Sequence, residues 1–322
     1  MINPATMSAG VYTYTVNGVA PCPSESATVT VTINTPPVPG TPGAITLCSS
    51  DAPASIFAQL GGSPNAGGTW SGPSPVVGGM IDPATMSAGV YTYTVAGLAP
   101  CVSASSTVTV TINTPSNAGS NGALTLCTTS GAASLFNQLG GTPQVGGTWS
   151  GPSAVIGGMI DPATMNAGNY NYTVAGTAPC PDVAATVAIT INTMPNAGID
   201  GGLTLCSSSP VTTLLNGLNG TPDPGGNWTE PGGSASNGTF TPGISATGIY
   251  TYTVNGTAPC PAVSATVDVN VVTNPNAGLP GSVTLCATDA ATLLFAQLGG
   301  TPDAGGTWSG PSAVVGGLYD PA

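Results

Sequence analysis

Apolar and polar residues alternate at Tyr170, Tyr172 and Val174, interleaved with Asn171 and Thr173, and again where Val108, Val110 and Ile112 interleave with Thr107, Thr109 and Thr111. A period of two places the apolar set on one face of a pleated strand and the threonines on the other, so each run predicts a strand with one dry face. β-Branched residues on both faces favour the same extended backbone. Ala123-Leu124-Thr125-Leu126-Cys127 alternates likewise and predicts an earlier strand. Leu135, Phe136 and Leu139 fall instead at helical spacing before Gly140-Gly141, which predicts a single helical turn. Gly147-Thr148-Trp149-Ser150-Gly151-Pro152 predicts a short strand carrying the one large aromatic, and Gly158 to Pro162 a further stretch closed by a turn. Short strands, frequent turns and no long helix predict two packed antiparallel sheets, an all-β sandwich.

This pattern repeats. Trp70, Trp149, Trp228 and Trp308 are separated by 79, 79 and 80 residues, and each is expected to anchor a core. The register predicts complete repeats over 36–114, 115–193 and 194–273, the back part of a repeat over 1–35 and the front part of another over 274–322. Met1-Ile2-Asn3-Pro4-Ala5 aligns with the mid-repeat segment Met80-Ile81-Asp82-Pro83-Ala84, which predicts a longer array in which Met1 is not an initiator. Proline-bearing linkers such as 113–122, 192–202 and 273–281 predict neighbours held in restricted orientation, hence an extended, semi-rigid rod of tandem domains.

Composition narrows the chemistry. There is no Lys, Arg or His against 12 acidic residues. Phosphate and anionic lipid surfaces are bound through cations, so neither nucleic acid nor membrane is an expected partner of this segment. General acid-base catalysis loses its usual His and Lys, and Ser or Cys nucleophiles lose an activating base, so no enzyme is expected. The 47 Gly and 32 Pro recur at fixed places between the strands and read as turn punctuation.

Eight cysteines alternate in steps of 26 residues (Cys22 to Cys48, Cys101 to Cys127, Cys180 to Cys206, Cys260 to Cys286) and 53 or 54 (Cys48 to Cys101, Cys127 to Cys180, Cys206 to Cys260). Two per repeat without His make no tetrahedral zinc site, so disulfides and an oxidising compartment are expected. A bridge over the short step has to overcome a strand of about nine residues, some 30 Å long at ~3.3 Å each. The longer step stays inside a repeat, and the expected bridges are Cys48–Cys101, Cys127–Cys180 and Cys206–Cys260, with Cys22 and Cys286 pairing outside residues 1–322.

The order Cys48, Trp70, Tyr91, Cys101 resembles an immunoglobulin-type sandwich, and Ala88 to Val95 is similar to the penultimate strand of such domains and of PKD-like modules. In immunoglobulins the second cysteine follows the corner tyrosine by two positions, where this chain has Tyr93. Residues 285–308 and 161–180, with Phe-Ala-Gln-Leu-Gly-Gly-Thr-Pro-Asp and Asp-Pro-Ala-Thr, resemble the tandem repeats of very long surface adhesins of gliding bacteria exported by the type IX system. That resemblance implies a disulfide-stabilised, non-catalytic stalk or filament at the bacterial cell surface, whose partners are neighbouring repeats.

Two other functions are compatible with the sequence: a multivalent array gripping surface glycans, and a pilus-like subunit polymerising by strand exchange through its split terminal repeats. No cofactor is expected. Asp82, Asp161 and Asp320 share one position, but no Asp-x-Asp cluster accompanies them, so they are expected to cap turns rather than hold calcium. Asp51 and Asp289, replaced by Ser130 and Ser209, are also expected to cap.

Overall fold

The computed structural model describes residues 2–321 and, among them, contains strands and single 3-10 turns but no α-helix. The fold is all-β, built from one repeated immunoglobulin-like sandwich. By internal packing the chain divides into two compact units, one running to Leu124 and including Gly131–Thr190, the other comprising Thr125–Ser130 and the residues from Ile191 onward.

In the first unit, Gly43–Cys48, Ala104–Asn113, Gly89–Val95 and Thr69–Ser71 lie side by side in that order. The last three pair antiparallel. Gly43–Cys48, the first strand of the repeat in chain order, pairs parallel with Ala104–Asn113, the last, Gly43 opposite Val108 and Cys48 opposite Asn113. The facing sheet is reduced to Ala54–Ser55 against Met80–Ile81. The same strand order recurs around Trp149 and Trp228, where Ala235–Ser236 adds a fifth strand. The expected helical turn is a 3-10 turn at Phe136–Gln138, with counterparts at Phe57–Gln59 and Leu214–Gly217.

Alternation becomes burial as expected: Tyr91, Tyr93 and Val108 are at most 2% exposed, and they pack with Ile56, Leu60 and Ile81. The deepest rings are these tyrosines. Trp70 is half-buried and stacks on Tyr93 at 5.0 Å between ring centroids, Trp149 does the same on Tyr172, and Trp228 is 7% exposed. Tyr93 thus occupies the position of the immunoglobulin cysteine and gives the tryptophan an aromatic partner in place of a disulfide. Its hydroxyl donates to the carbonyl of Asn65 at 2.8 Å and accepts from the amide of Gly68 at 2.8 Å. Tyr91 Oη donates to the carbonyl of Ser87 at 2.7 Å, the tyrosine corner. A Cβ at Gly68 would lie 2.6 Å from the Tyr93 ring, and Gly147 and Gly226 stand equally close to Tyr172 and Tyr252, which explains the glycine before the tryptophan strand in the three complete repeats.

Candidate functional site: a cross-linked joint between consecutive repeats

Parallel pairing of first and last strands brings Cys48 and Asn113 to the same edge of the first complete repeat. Across from them, in the next repeat, the chain turns through Thr177–Cys180, with the amide of Cys180 donating to the carbonyl of Thr177 at 2.9 Å and a cis peptide before Pro179. Asn113 Nδ2 donates to the carbonyls of Ala178 at 2.7 Å and Thr177 at 3.4 Å. Cys180 Sγ lies 3.4 Å from the carbonyl oxygen of Asn113. Cys48 and Cys180 form a disulfide, with Cα atoms 4.9 Å apart.

The second compact unit contains the same joint one repeat later. Asn192 Nδ2 donates to the carbonyls of Ala258 at 2.7 Å and Thr257 at 3.4 Å, and Cys260 Sγ lies 3.3 Å from the carbonyl oxygen of Asn192. Cys127 and Cys260 are bridged, with Cα atoms 5.0 Å apart. Thr125–Ser130, which carries Cys127, groups with the residues from Ile191 onward.

The pairings expected within each repeat, Cys48–Cys101, Cys127–Cys180 and Cys206–Cys260, are therefore corrected. Both bridges run from the first strand of one repeat to the loop after the penultimate strand of the next, with sequence separations of 132 and 133. The reason is polarity. Cys48 stands at the far end of the last strand, whereas Cys101 precedes the start of that strand, and ten strand residues at ~3.3 Å each hold the two sulfurs at opposite poles. Cys22, Cys101, Cys206 and Cys286 are thiols.

The capping residues are where the sequence places them: the amide of Cys48 donates to Asp51 Oδ2 at 2.7 Å, that of Cys127 to Ser130 Oγ at 3.1 Å, and that of Cys286 to Asp289 Oδ2 at 2.6 Å. Asp82 Oδ1 accepts from the amide of Ala84 at 3.0 Å and Oδ2 from Thr85 Oγ1 at 3.0 Å, closing the turn before the penultimate strand. Among the described residues no three Cys, Asp or Glu side chains gather as a metal site. A concavity of about 610 Å3 lies over Phe57, Trp70 and Tyr93, and one of about 560 Å3 over Phe136, Trp149 and Tyr172.

No family model matches the chain, and no curated protein matches it. Among solved structures, the chain is similar to the I-band fragment I67-I69 from titin, at 12% identity and a TM-score of 0.41, covering 74% of this chain and 100% of that one. It is similar to Drosophila OTK extracellular domains 3-5, at 15% identity and a TM-score of 0.32, covering 75% and 98%. It is also similar to the insect immune protein hemolin, at 13% identity and a TM-score of 0.33, covering 82% of each chain.

Proposed function

We propose that this chain is a load-bearing segment of an extracellular, non-catalytic repeat protein, a stalk or filament of a bacterial cell-surface adhesin of the kind its repeats resemble. The interleaving of the two bridges carries this reading. Cys127 lies between Cys48 and Cys180 in sequence, and Cys180 lies between Cys127 and Cys260. Tension entering at Cys48 crosses sulfur to Cys180 and bypasses every residue between them. For a pull that leaves the chain just beyond Cys180, the strands from Ala54 to Asn113 of the first complete repeat are thereby spared the load that would unravel them. An ordinary within-repeat disulfide stabilises one domain, whereas this arrangement makes the join between domains covalent twice over. Disulfides of this kind persist in an oxidising, extracellular setting.

Antibodies raised against the chain should decorate intact, unpermeabilised cells, and cells lacking the protein should detach at lower wall shear. Staining seen only after permeabilisation would remove the reading.

The aromatic concavities support a second reading, a glycan-binding array. Half-buried Trp70 and Trp149 sit at equivalent places, and a sugar face stacking on an indole at many weak sites gains avidity. Glycan microarrays probed with the full chain and with Trp70→Ala/Trp149→Ala test this; equal signals from both proteins, or none from either, would discard it.

A further inference from the structure

One surface differs among the three complete repeats in a way that packing does not require. In the first two, a hairpin tip (Val77-Gly78-Gly79-Met80 and Ile156-Gly157-Gly158-Met159) stands beside the open tryptophan. Val77 and Ile156 are 83% and 85% exposed. Phe57 and Phe136 form a second wall, edge-on to Tyr93 and Tyr172 at 5.3 and 5.5 Å between ring centroids. The third complete repeat, in which Thr212 pairs with Phe240 as Ala54 pairs with Ile81, changes all of these residues together: Leu215 stands for Phe57, Ser236 for Val77 and Thr239 for Met80. There Ala235–Ser236 pairs with the tryptophan strand, a Cβ on Gly238 would lie 2.8 Å from the Trp228 ring, and Trp228 is 7% exposed. This fold is therefore able to bury its tryptophan. The first two repeats leave it open and ring it with apolar side chains, an exposure that marks an interaction surface.

We propose that the concavities at Trp70 and Trp149 are two equivalent subsites for the rings of a neutral β-1,4-linked glucan, and that the third complete repeat is a non-binding spacer between such sites. This rests on the glycan-binding reading of the aromatic concavities and names the sugar class that fits them. Neutrality follows from charge. The chain has no cation, and no charged side chain lines either concavity, so a uronic or sialic acid would bring an unpaired carboxylate to a molecule of net charge −12. The ring type follows from the platform. A glucose ring with every substituent equatorial carries its C–H bonds axially and has two flat apolar faces, which suit the negative face of an indole. Successive rings of a β-1,4 chain turn over, and with two such faces each ring stacks whichever way round the strand lies.

The indole also supplies the polar contact. Its Nε1–H is a donor only, and among the described residues neither Trp70 nor Trp149 donates to a protein acceptor. A Cβ on Gly79 would lie 3.6 Å from Trp70 Nε1, and one on Gly158 3.7 Å from Trp149 Nε1, so glycine at these positions keeps the approach to each N–H clear. A hydroxyl oxygen at the edge of the stacked ring accepts from it. In the third repeat the corresponding Cβ, on Gly238, would come within 3.0 Å of Trp228 Nε1, and the backbone itself covers the place. The tyrosine hydroxyls are already committed. Tyr93 Oη donates to the carbonyl of Asn65 and accepts from the amide of Gly68, and Tyr172 Oη does the same with Gln144 and Gly147, so both rings hold the platform and leave the sugar to the tryptophans.

The test is a titration of 15N-labelled full chain with cellohexaose, following the indole N–H resonances, each assigned by a single Trp→Phe replacement. The β-1,4-glucuronan hexamer, which differs only by a carboxylate on each ring, is the anionic probe. The Trp70 and Trp149 signals should shift saturably and alike with cellohexaose, the Trp228 signal should stay in place, and the glucuronan should bind at least tenfold more weakly. Trp149→Phe keeps a ring and loses the N–H, so binding read from the Gly158 amide should weaken about fivefold. Trp149→Ala should abolish it while the Trp70 signal still shifts, which shows that the variant remains folded. Unmoved Trp70 and Trp149 signals at millimolar cellohexaose overturn this inference; the glycan-binding reading outlives that result where microarrays show another glycan bound through these tryptophans, and falls with it where they show none. Equal binding of the glucuronan overturns the choice of a neutral sugar, a Trp228 shift matching the other two overturns the closed third site, and full-strength binding to Trp149→Phe overturns the N–H contact.

Discussion

Pulling on the chain between Pro36 and Pro210 through non-thiol handles measures the covalent path directly. Both positions are exposed, and they flank Cys48 and Cys180. With Cys48 bridged to Cys180, the shortest covalent route from Pro36 runs about 12 residues to Cys48, across the disulfide, and about 30 residues from Cys180 to Pro210, roughly 150 Å at ~3.5 Å per residue. Bridges confined to each repeat would instead leave a route of about 68 residues, roughly 240 Å. Full reduction frees all of the roughly 174 residues between the handles, about 610 Å. Optical-tweezer extension of oxidised protein should therefore stop near 150 Å at forces that unfold ordinary sandwiches, and reductant should raise that limit roughly fourfold, to about 610 Å. Handles on Pro115 and Thr193 provide the converse control. There the direct route of about 78 residues is already the shortest, so oxidised and reduced protein should reach the same length, roughly 270 Å. A stop near 240 Å across the first pair of handles, or a shortened limit across the second, would refute the inter-repeat pairing.

Three further outcomes test the packing. Ser106 is 5% exposed and its hydroxyl has no hydrogen-bond partner, while Ala185 and Ala265 occupy the equivalent positions; Ser106→Ala should be neutral or stabilise by ~1 kcal/mol in urea denaturation, and a loss of more than that would contradict the assignment. Gly147→Ala would put a Cβ 2.6 Å from the Tyr172 ring and 2.7 Å from the carbonyl oxygen of Thr173, so a loss of about 1–3 kcal/mol is expected, against no loss for Gly131→Ala, where nothing lies within 4 Å. Equal melting temperatures for the two glycine variants would show that the tyrosine can move. Burial, and secondarily the charge of Glu230, raise the Tyr250 hydroxyl above its ordinary pKa of 10.0. The unfolded chain then loses its proton first, so stability held below pH 10 should fall as pH rises beyond it, and Tyr250→Phe should flatten that fall. A melting curve between pH 9 and pH 11 that is identical in the variant would exclude the contribution.

Strand alternation was legible because burial follows it residue by residue: Tyr170, Tyr172, Val174 and Val187 are all at most 8% exposed. The 3-10 turn was legible because Leu135, Phe136 and Leu139 break that alternation. Strand direction was not. Period two reports which face a residue takes, and it is the same whether Gly43–Cys48 runs with or against Ala104–Asn113. An antiparallel edge would have placed Cys48 at the pole of Cys101, and the 53-residue step would then have marked the bridge; the parallel edge sends Cys48 to the opposite pole, beside the start of the next repeat. One signal was available in the chain itself. Asn34, Asn113 and Asn192 each sit at the end of a strand of β-branched residues, where a side-chain amide has no use inside a sheet, yet each is the residue that clasps the carbonyl before the cis-proline loop of the following repeat. A polar residue recurring at the exit of an otherwise apolar and hydroxyl-bearing strand points to a partner beyond that strand, and the cysteine opposite it is then read as facing the next domain. On the same logic Val272, which stands opposite Cys206 where the other repeats carry asparagine, has no side-chain amide to donate to a following loop.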